Sequence, residues 1–225
     1  MPRYQLILLG IVALVLLWSG IGPHDRTTWW LEVFPILLGV PILIWTHRRF
    51  PLTPLLYTLL AIHAVILAVG GHYTYARVPL GFWVQEALGF ARNHYDRLGH
   101  FAQGFVPAIL AREILLRTSP LRRGKWLFTI VVAICLAFSA CYEFLEWWSA
   151  LLGGEAATDF LGTQGDVWDT QWDMFLAFLG AVLSQLVLAR VHNRQLAGLG
   201  ARYEVRDSRP TIGPSAGGDA RAHAP

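Results

Sequence analysis

The sequence predicts an all-α membrane protein, a bundle of six transmembrane helices with both termini cytoplasmic. Three observations carry that expectation. Hydrophobic residues make up 55% of the chain and charged residues 15%, whereas an ordinary soluble domain is about 25% charged. The apolar residues come in runs of the length that crosses a bilayer, about 20 residues each. The ten Trp and twelve Phe suit a chain that meets lipid headgroups, where aromatic side chains gather. The length leaves room for one helical domain over 1–192 and no separate soluble one.

The first span covers about 4–21. Trp18-Ser19-Gly20-Ile21-Gly22 lacks an A-x-A cleavage pattern and only Arg3 precedes the run, so it reads as an uncleaved helix rather than a signal peptide. His24-Asp25-Arg26 turns the chain into the second span, about 29–46, with Asp25 placed to cap it. Pro35 and Pro41 should bend this helix. A basic turn, His47-Arg48-Arg49-Phe50-Pro51, precedes the third span, about 54–71, which carries His63 as a hydrogen-bonded packing residue. The loop from His72 to Asn93 includes Phe82 to Phe90, the pattern of a short helix lying in the interface.

The fourth span covers about 95–116 and the fifth about 126–152, joined by the basic turn Ser119 to Lys125. Gly153 to Thr170 is a polar loop with Glu155, Asp159, Asp166 and Asp169 and no Lys or Arg. The sixth span covers about 171–191. Beyond it the composition turns to Gly, Pro, Ala, Arg and Asp, which predicts a disordered cytoplasmic tail over 193–225. Arg3, Arg48, Arg49, Arg112, Arg117, Arg122, Arg123, Lys125, Arg190 and Arg194 fall at one set of span ends. The other set holds only Arg26, Arg77, Arg92 and Arg97, so the positive-inside rule assigns both termini to the cytoplasm.

The net charge of +3 is scattered over short loops without a basic face, which excludes nucleic acid as a partner. The lipid bilayer is the partner the composition demands. Cys135 and Cys141 lie six apart on one span and face different ways, so they read as small core residues rather than a disulfide.

The candidate site is made of three polar pairs at helical spacing: Asp96 with His100, Glu143 with Glu146, and Asp169 with Asp173. In the predicted topology each pair lies within about two turns of the outer interface, at 1.5 Å per residue. Asp96, His100, Gln103 and Pro107 share a stripe of the fourth span, Ser139, Glu143 and Glu146 one of the fifth, and Asp169, Asp173, Gly180 and Ser184 one of the sixth. The small residues of the last stripe allow close helix approach. Ionisable groups at that depth face the bundle interior or a wet cavity.

Three functions fit. Glu143, Glu146, Asp169, Asp173 and His100 suit a divalent metal cation, Mg²⁺, Mn²⁺ or Ca²⁺ by carboxylate and Zn²⁺ or iron with the imidazole added. With such a cation, the residues Asp96, His100, Glu143, Glu146, Asp169 and Asp173 would form a catalytic set acting on a small-molecule or lipid-linked ligand, His100 as base. The same acids suit a proton-coupled transporter, although Glu113 is the only acid in the inner half of these spans. In the third, Arg92, Arg97 and Arg26 neutralise the acids and the cluster only fixes helix packing. Glu32 is a further inward candidate with Arg26 as partner, and His72 and His94 stand in or beside the outer loop. Trp147, Trp148, Trp168 and Trp172 read as interfacial anchors. No G-x-S-x-G, Walker A, H-E-x-x-H or C-x-x-C motif occurs, and nothing marks Ser139 as a nucleophile beside His100 and Asp169.

The stretches Pro23-His24-Asp25-Arg26, Arg48 through Tyr57, Gly70 through Ala76, Asn93-His94-Tyr95-Asp96-Arg97 and Gly165 through Asp173 resemble the YjdF-type family of bacterial inner-membrane proteins. The likeness covers nearly all of residues 4–195 and implies a multi-pass protein of the inner (plasma) membrane. A more distant resemblance is to VanZ-like membrane proteins. Asp96, Arg97, His100 and Phe101 match the first part of that pattern, Glu143 the second and Asp169 the third. Glu146 stands where the pattern has Gln and Asp173 where it has Asn, two changes that add negative charge and favour a cation. A lipid-linked envelope precursor is the substrate class this second resemblance implies.

Overall fold

The computed structural model describes residues 2–153 and 164–207. Among them are seven α-helices: α1 (Arg3–Ser19), α2 (Arg26–Thr46), α3 (Pro54–Tyr73), α4 (Pro79–Leu88), α5 (Tyr95–Thr118), α6 (Lys125–Gly153) and α7 (Asp169–Asp207). A 3₁₀ turn, Tyr75–Arg77, follows α3. Glu155 and Asp159 of the acidic loop, and the predicted tail beyond residue 207, lie outside the described residues.

Side-chain oxygens start two of the helices. Asp25 accepts from the Thr28 backbone N–H at 2.6 Å ahead of α2, and Thr53 accepts from that of Leu56 ahead of α3, where Pro54 occupies the first turn. α2 runs through both Pro35 and Pro41 as one helix. α4 is short, with Leu80, Phe82, Trp83, Val84 and Leu88 exposed.

α2, α3, α6 and α7 contain stretches long and apolar enough to cross a membrane. α5 fails that test by composition. Its 24 residues extend about 36 Å at 1.5 Å per residue, ample for a bilayer. His100, Arg112 and Glu113 of α5 are buried, and α3, α6 and α7 all pack on this helix, so these side chains need not meet lipid. α1, with 17 residues, is at the short end of the spanning range.

α5 is the hub of the bundle, while α1 and α2 pack on α3. The α5–α7 seam is set by glycine. A methyl group at Gly104 would sit on the Ala177 carbonyl, and one at Gly180 on the Phe101 carbonyl, so the two backbones touch only because no Cβ intervenes. Ala108, Leu127, Val131, Cys135 and Ala181 close the core below this contact. Cys135 is buried and Cys141 exposed, and both are free thiols.

The last helix corrects the predicted tail. α7 does not end near 191 but continues to Asp207. Polar residues past the predicted end are anchored: His192 is fully buried, Asn193 Oδ1 accepts from Arg112 at 2.7 Å, and Gln195 Oε1 accepts from the Leu55 backbone N–H at 2.8 Å. Composition had signalled disorder because it does not register polar side chains that find partners on another helix.

Candidate acid-and-histidine site

His100 stands at the centre of the polar residues that α5, α6 and α7 bring together. Its Nε2 lies 3.4 Å from Asp96 Oδ1, one turn back on α5, and 3.8 Å from Asp173 Oδ2 of α7. Its Nδ1 lies 3.1 Å from Gln103 Oε1 and 3.8 Å from Glu143 Oε1 of α6. Ligand atoms of Asp96, His100 and Asp173 fall within 4.8 Å of one another, and so do those of His100, Glu143 and Glu146. Five of the six sequence-derived candidates, His100, Glu143, Glu146, Asp169 and Asp173, are between 2% and 7% exposed. Asp96 is half-buried.

Asp169 is set apart from the rest by an arginine. Arg92 donates to its Oδ1 at 2.6 Å and also lies 3.3 Å from Asp166 Oδ2, to which Arg97 donates at 2.8 Å. The Arg97 guanidinium lies over the Trp172 ring, 5.1 Å from its centroid. Asn93 and Gln164 tie the two loops together, Gln164 Nε2 donating to the Asn93 carbonyl at 2.8 Å while the Asn93 N–H donates back to Gln164 Oε1. This polar rim bridges the start of α5 to the start of α7.

Four carboxylate oxygens beneath the rim are buried with no hydrogen-bond partner: Asp96 Oδ2, Glu143 Oε1, Asp169 Oδ2 and Asp173 Oδ1. Among the described residues, Arg92 and Arg97 neutralise Asp166 and Asp169. Arg26 does not take part, since it donates to the Gly20 carbonyl at 2.7 Å. Glu32 joins the cluster from α2, but its partner is Tyr142, whose hydroxyl donates to Oε2 at 3.1 Å, not Arg26.

The remaining histidines sort differently. His72 packs on Trp18, 4.4 Å between ring centroids, with Nδ1 3.0 Å from the Ser19 carbonyl, so it serves the α1–α3 contact. His94 meets Phe90 edge to face, and burial holds it below the ordinary histidine value, with Arg97 and Arg92 pushing the same way. His63 Nε2 has no partner, contrary to the hydrogen-bonded role expected of it. Ser139 is fully buried and its Oγ has no partner, so no triad with His100 and Asp169 forms.

Sequence reasoning missed a second buried polar cluster at the opposite end of α5 and α7. Glu113 Oε2 accepts from Thr53 Oγ1 at 2.8 Å and from His192 Nε2 at 3.0 Å. Its Oε1 accepts from the Thr53 N–H at 3.1 Å and from Arg117 at 2.8 Å. Arg112 donates to His192 Nδ1 at 2.7 Å, which fixes the imidazole as the neutral tautomer with its proton on Nε2. Here every carboxylate oxygen is satisfied. The usable signal was Glu113 itself, an acid inside a span at its basic end, which requires partners.

Comparison with known proteins agrees in scale with this architecture. A family model described as "Predicted membrane protein (DUF2238)" matches residues 4–194. The chain is 57% identical over 189 residues to "Inner membrane protein YjdF" of Escherichia coli (strain K12), covering 84% of this chain and 90% of that protein. No solved structure matches. With its apolar helices and these relatives, this is a multi-pass inner-membrane protein, and the chain belongs to the DUF2238 family of membrane proteins.

Proposed function

We propose that the recess binds one divalent cation on Asp96, His100 and Asp173, with Glu143, Glu146 and Asp169 around it. The cation would support a reaction on a lipid-linked or other envelope substrate at the periplasmic side. The observation carrying this reading is the set of buried, unpartnered oxygens on Asp96, Glu143, Asp169 and Asp173. Buried carboxylates are ordinarily paired or bound to metal, because an anionic oxygen stripped of water and given no donor is costly. The satisfied Glu113 cluster provides the internal contrast.

The donor set fits a cation. Ligand atoms within 4.8 Å of one another can converge on an ion with bonds of about 2.0–2.2 Å after small rotations. Gln103 Oε1 lies 3.1 Å from His100 Nδ1, and with a proton held there the Nε2 lone pair would be free for a cation between Asp96 and Asp173. Metal-ligating histidines are oriented by such a partner on the other ring nitrogen. One imidazole and two carboxylates suit Zn²⁺, Mn²⁺ or Fe²⁺ better than Ca²⁺. A cation there would polarise a phosphate oxygen or acidify a bound water. Glu143 lies on the other side of His100, 3.8 Å from Nδ1, so the carboxylates facing Nε2, Asp96 and Asp173, are the ones near enough to take a proton from such a water.

This reading takes six spans with both termini cytoplasmic. The run of basic residues at one set of helix ends supports it, as does the length of α5. The rim tryptophans Trp147, Trp148, Trp168 and Trp172 are exposed and suit a headgroup-level entrance open to a lipid-borne substrate.

Metal analysis of the detergent-purified full chain tests the proposal. After chelation and titration with Mn²⁺ or Zn²⁺, one ion per chain is expected, with stabilisation of about 2.7 kcal/mol at a hundred times Kd. Asp173→Asn and His100→Ala should keep the fold and lose that ion. Failure of every cation to bind or stabilise the wild-type protein removes the reading.

A further inference from the structure

We propose that a cleft between α1, α2 and α3, remote from the acid recess, takes the first few methylenes of one acyl chain of an anionic phospholipid whose phosphate rests on Arg3, Arg48 and Arg49. The cleft has a volume of about 70 Å³ and is lined by Leu8 and Val12 of α1, Leu43 of α2 and Leu60, Ala61 and Ala64 of α3. That is room for a few methylene-sized groups, given about 30 Å³ for a water molecule. The two alanines open it, since a larger side chain at either position would occupy the space.

Charge complementarity names the occupant. The lining residues occupy the first half of α1, the end of α2 and the beginning of α3, so the cleft opens at the end of the bundle where Arg3, Arg48 and Arg49 lie. Tyr4 holds the helix starts in register there, its hydroxyl donating to the Pro54 carbonyl at 3.3 Å and contacting Thr58 Oγ1. All three arginines are exposed, and none pairs with a carboxylate among the described residues.

A second observation lies inside the mouth. Gln5 lines the cleft, and its Oε1 is buried with no partner. That acceptor would be satisfied by a headgroup bearing hydroxyl donors. Three guanidiniums with no carboxylate partner among the described residues, at the same end of the bundle as an apolar slot and an unfilled acceptor, match phosphatidylglycerol, in keeping with the general attraction of anionic lipid to basic pockets between spans.

The test uses the full chain in detergent micelles, with phosphatidylglycerol and phosphatidylcholine of identical acyl chains. Phosphatidylglycerol should be retained in native mass spectrometry and raise Tm, and phosphatidylcholine should do neither at equal concentration. The exposed-surface variant R3Q/R48Q/R49Q should weaken phosphatidylglycerol binding on the order of tenfold or more. Ala61→Phe should abolish it while leaving the arginines in place. Equal retention of the two lipids by the wild-type chain overturns the proposal. So does unchanged phosphatidylglycerol binding by the triple arginine variant, or the same stabilisation from glycerol phosphate without acyl chains. Because the wild-type comparison needs no variant, a misfolded Ala61→Phe protein leaves the test intact.

Discussion

Replacing Glu113 by alanine should be among the most damaging single changes in this protein. Glu113 is fully buried and accepts from the Thr53 N–H and Oγ1, His192 Nε2 and Arg117. Its loss strands the Thr53 donors and the His192 N–H without an acceptor and leaves Arg117 without its carboxylate. Removing one member of such a buried charged set costs about 3–5 kcal/mol. For a chain of this size 1 kcal/mol moves Tm by about 2–4 °C, so a drop of about 6–20 °C is expected. Glu113→Gln keeps one acceptor oxygen and should lose about 1.5–3 kcal/mol, the worth of a hydrogen bond to a charged group. Thermal unfolding of the detergent-solubilised chain, followed by helical circular dichroism, measures both. Glu86→Ala, an exposed acid of α4, is the control and should be near neutral. A Glu113→Ala protein as stable as that control would refute the assignment of this cluster as the fastening of α5, α7 and the α3 start.

Two further outcomes follow from other parts of the structure. Gly104→Leu or Gly180→Leu drives a side chain into the facing backbone carbonyl, so either should lower stability by about 1–3 kcal/mol or more and disturb the cation site by parting α5 from α7, read by unfolding and metal titration. Asp25→Ala should cost about 1 kcal/mol of helix-cap stability. The hydrogen bond from the Thr28 N–H holds the Asp25 carboxyl below the usual aspartate value, so its contribution is present above about pH 3.9 and fades as pH falls through the lower folded value. A stability–pH curve for Asp25→Ala should therefore match wild type in strong acid and fall below it near neutrality.

The six candidate residues were legible because intramembrane acids and imidazoles are rare and their helical spacing is visible in one dimension. Asp96, Glu143 and Asp173 do converge within ion-pairing range of His100. Asp169 is drawn instead to Arg92, from the loop before α5. Glu32 looked like an Arg26 partner because the two are near in sequence. The structure instead gives it the Tyr142 hydroxyl, from a residue 110 positions away.

What the amino-acid order determined by itself is membrane residence, helix placement and the asymmetry of basic residues, because hydropathy and charge act locally along the chain. Only the tertiary structure decided which polar groups are satisfied. It closed the Glu113–His192 cluster, carried α7 past its apolar run, and left four carboxylate oxygens of the acid recess without donors. Partner choice depends on side-chain contacts between distant segments, and no periodicity in a single helix encodes those.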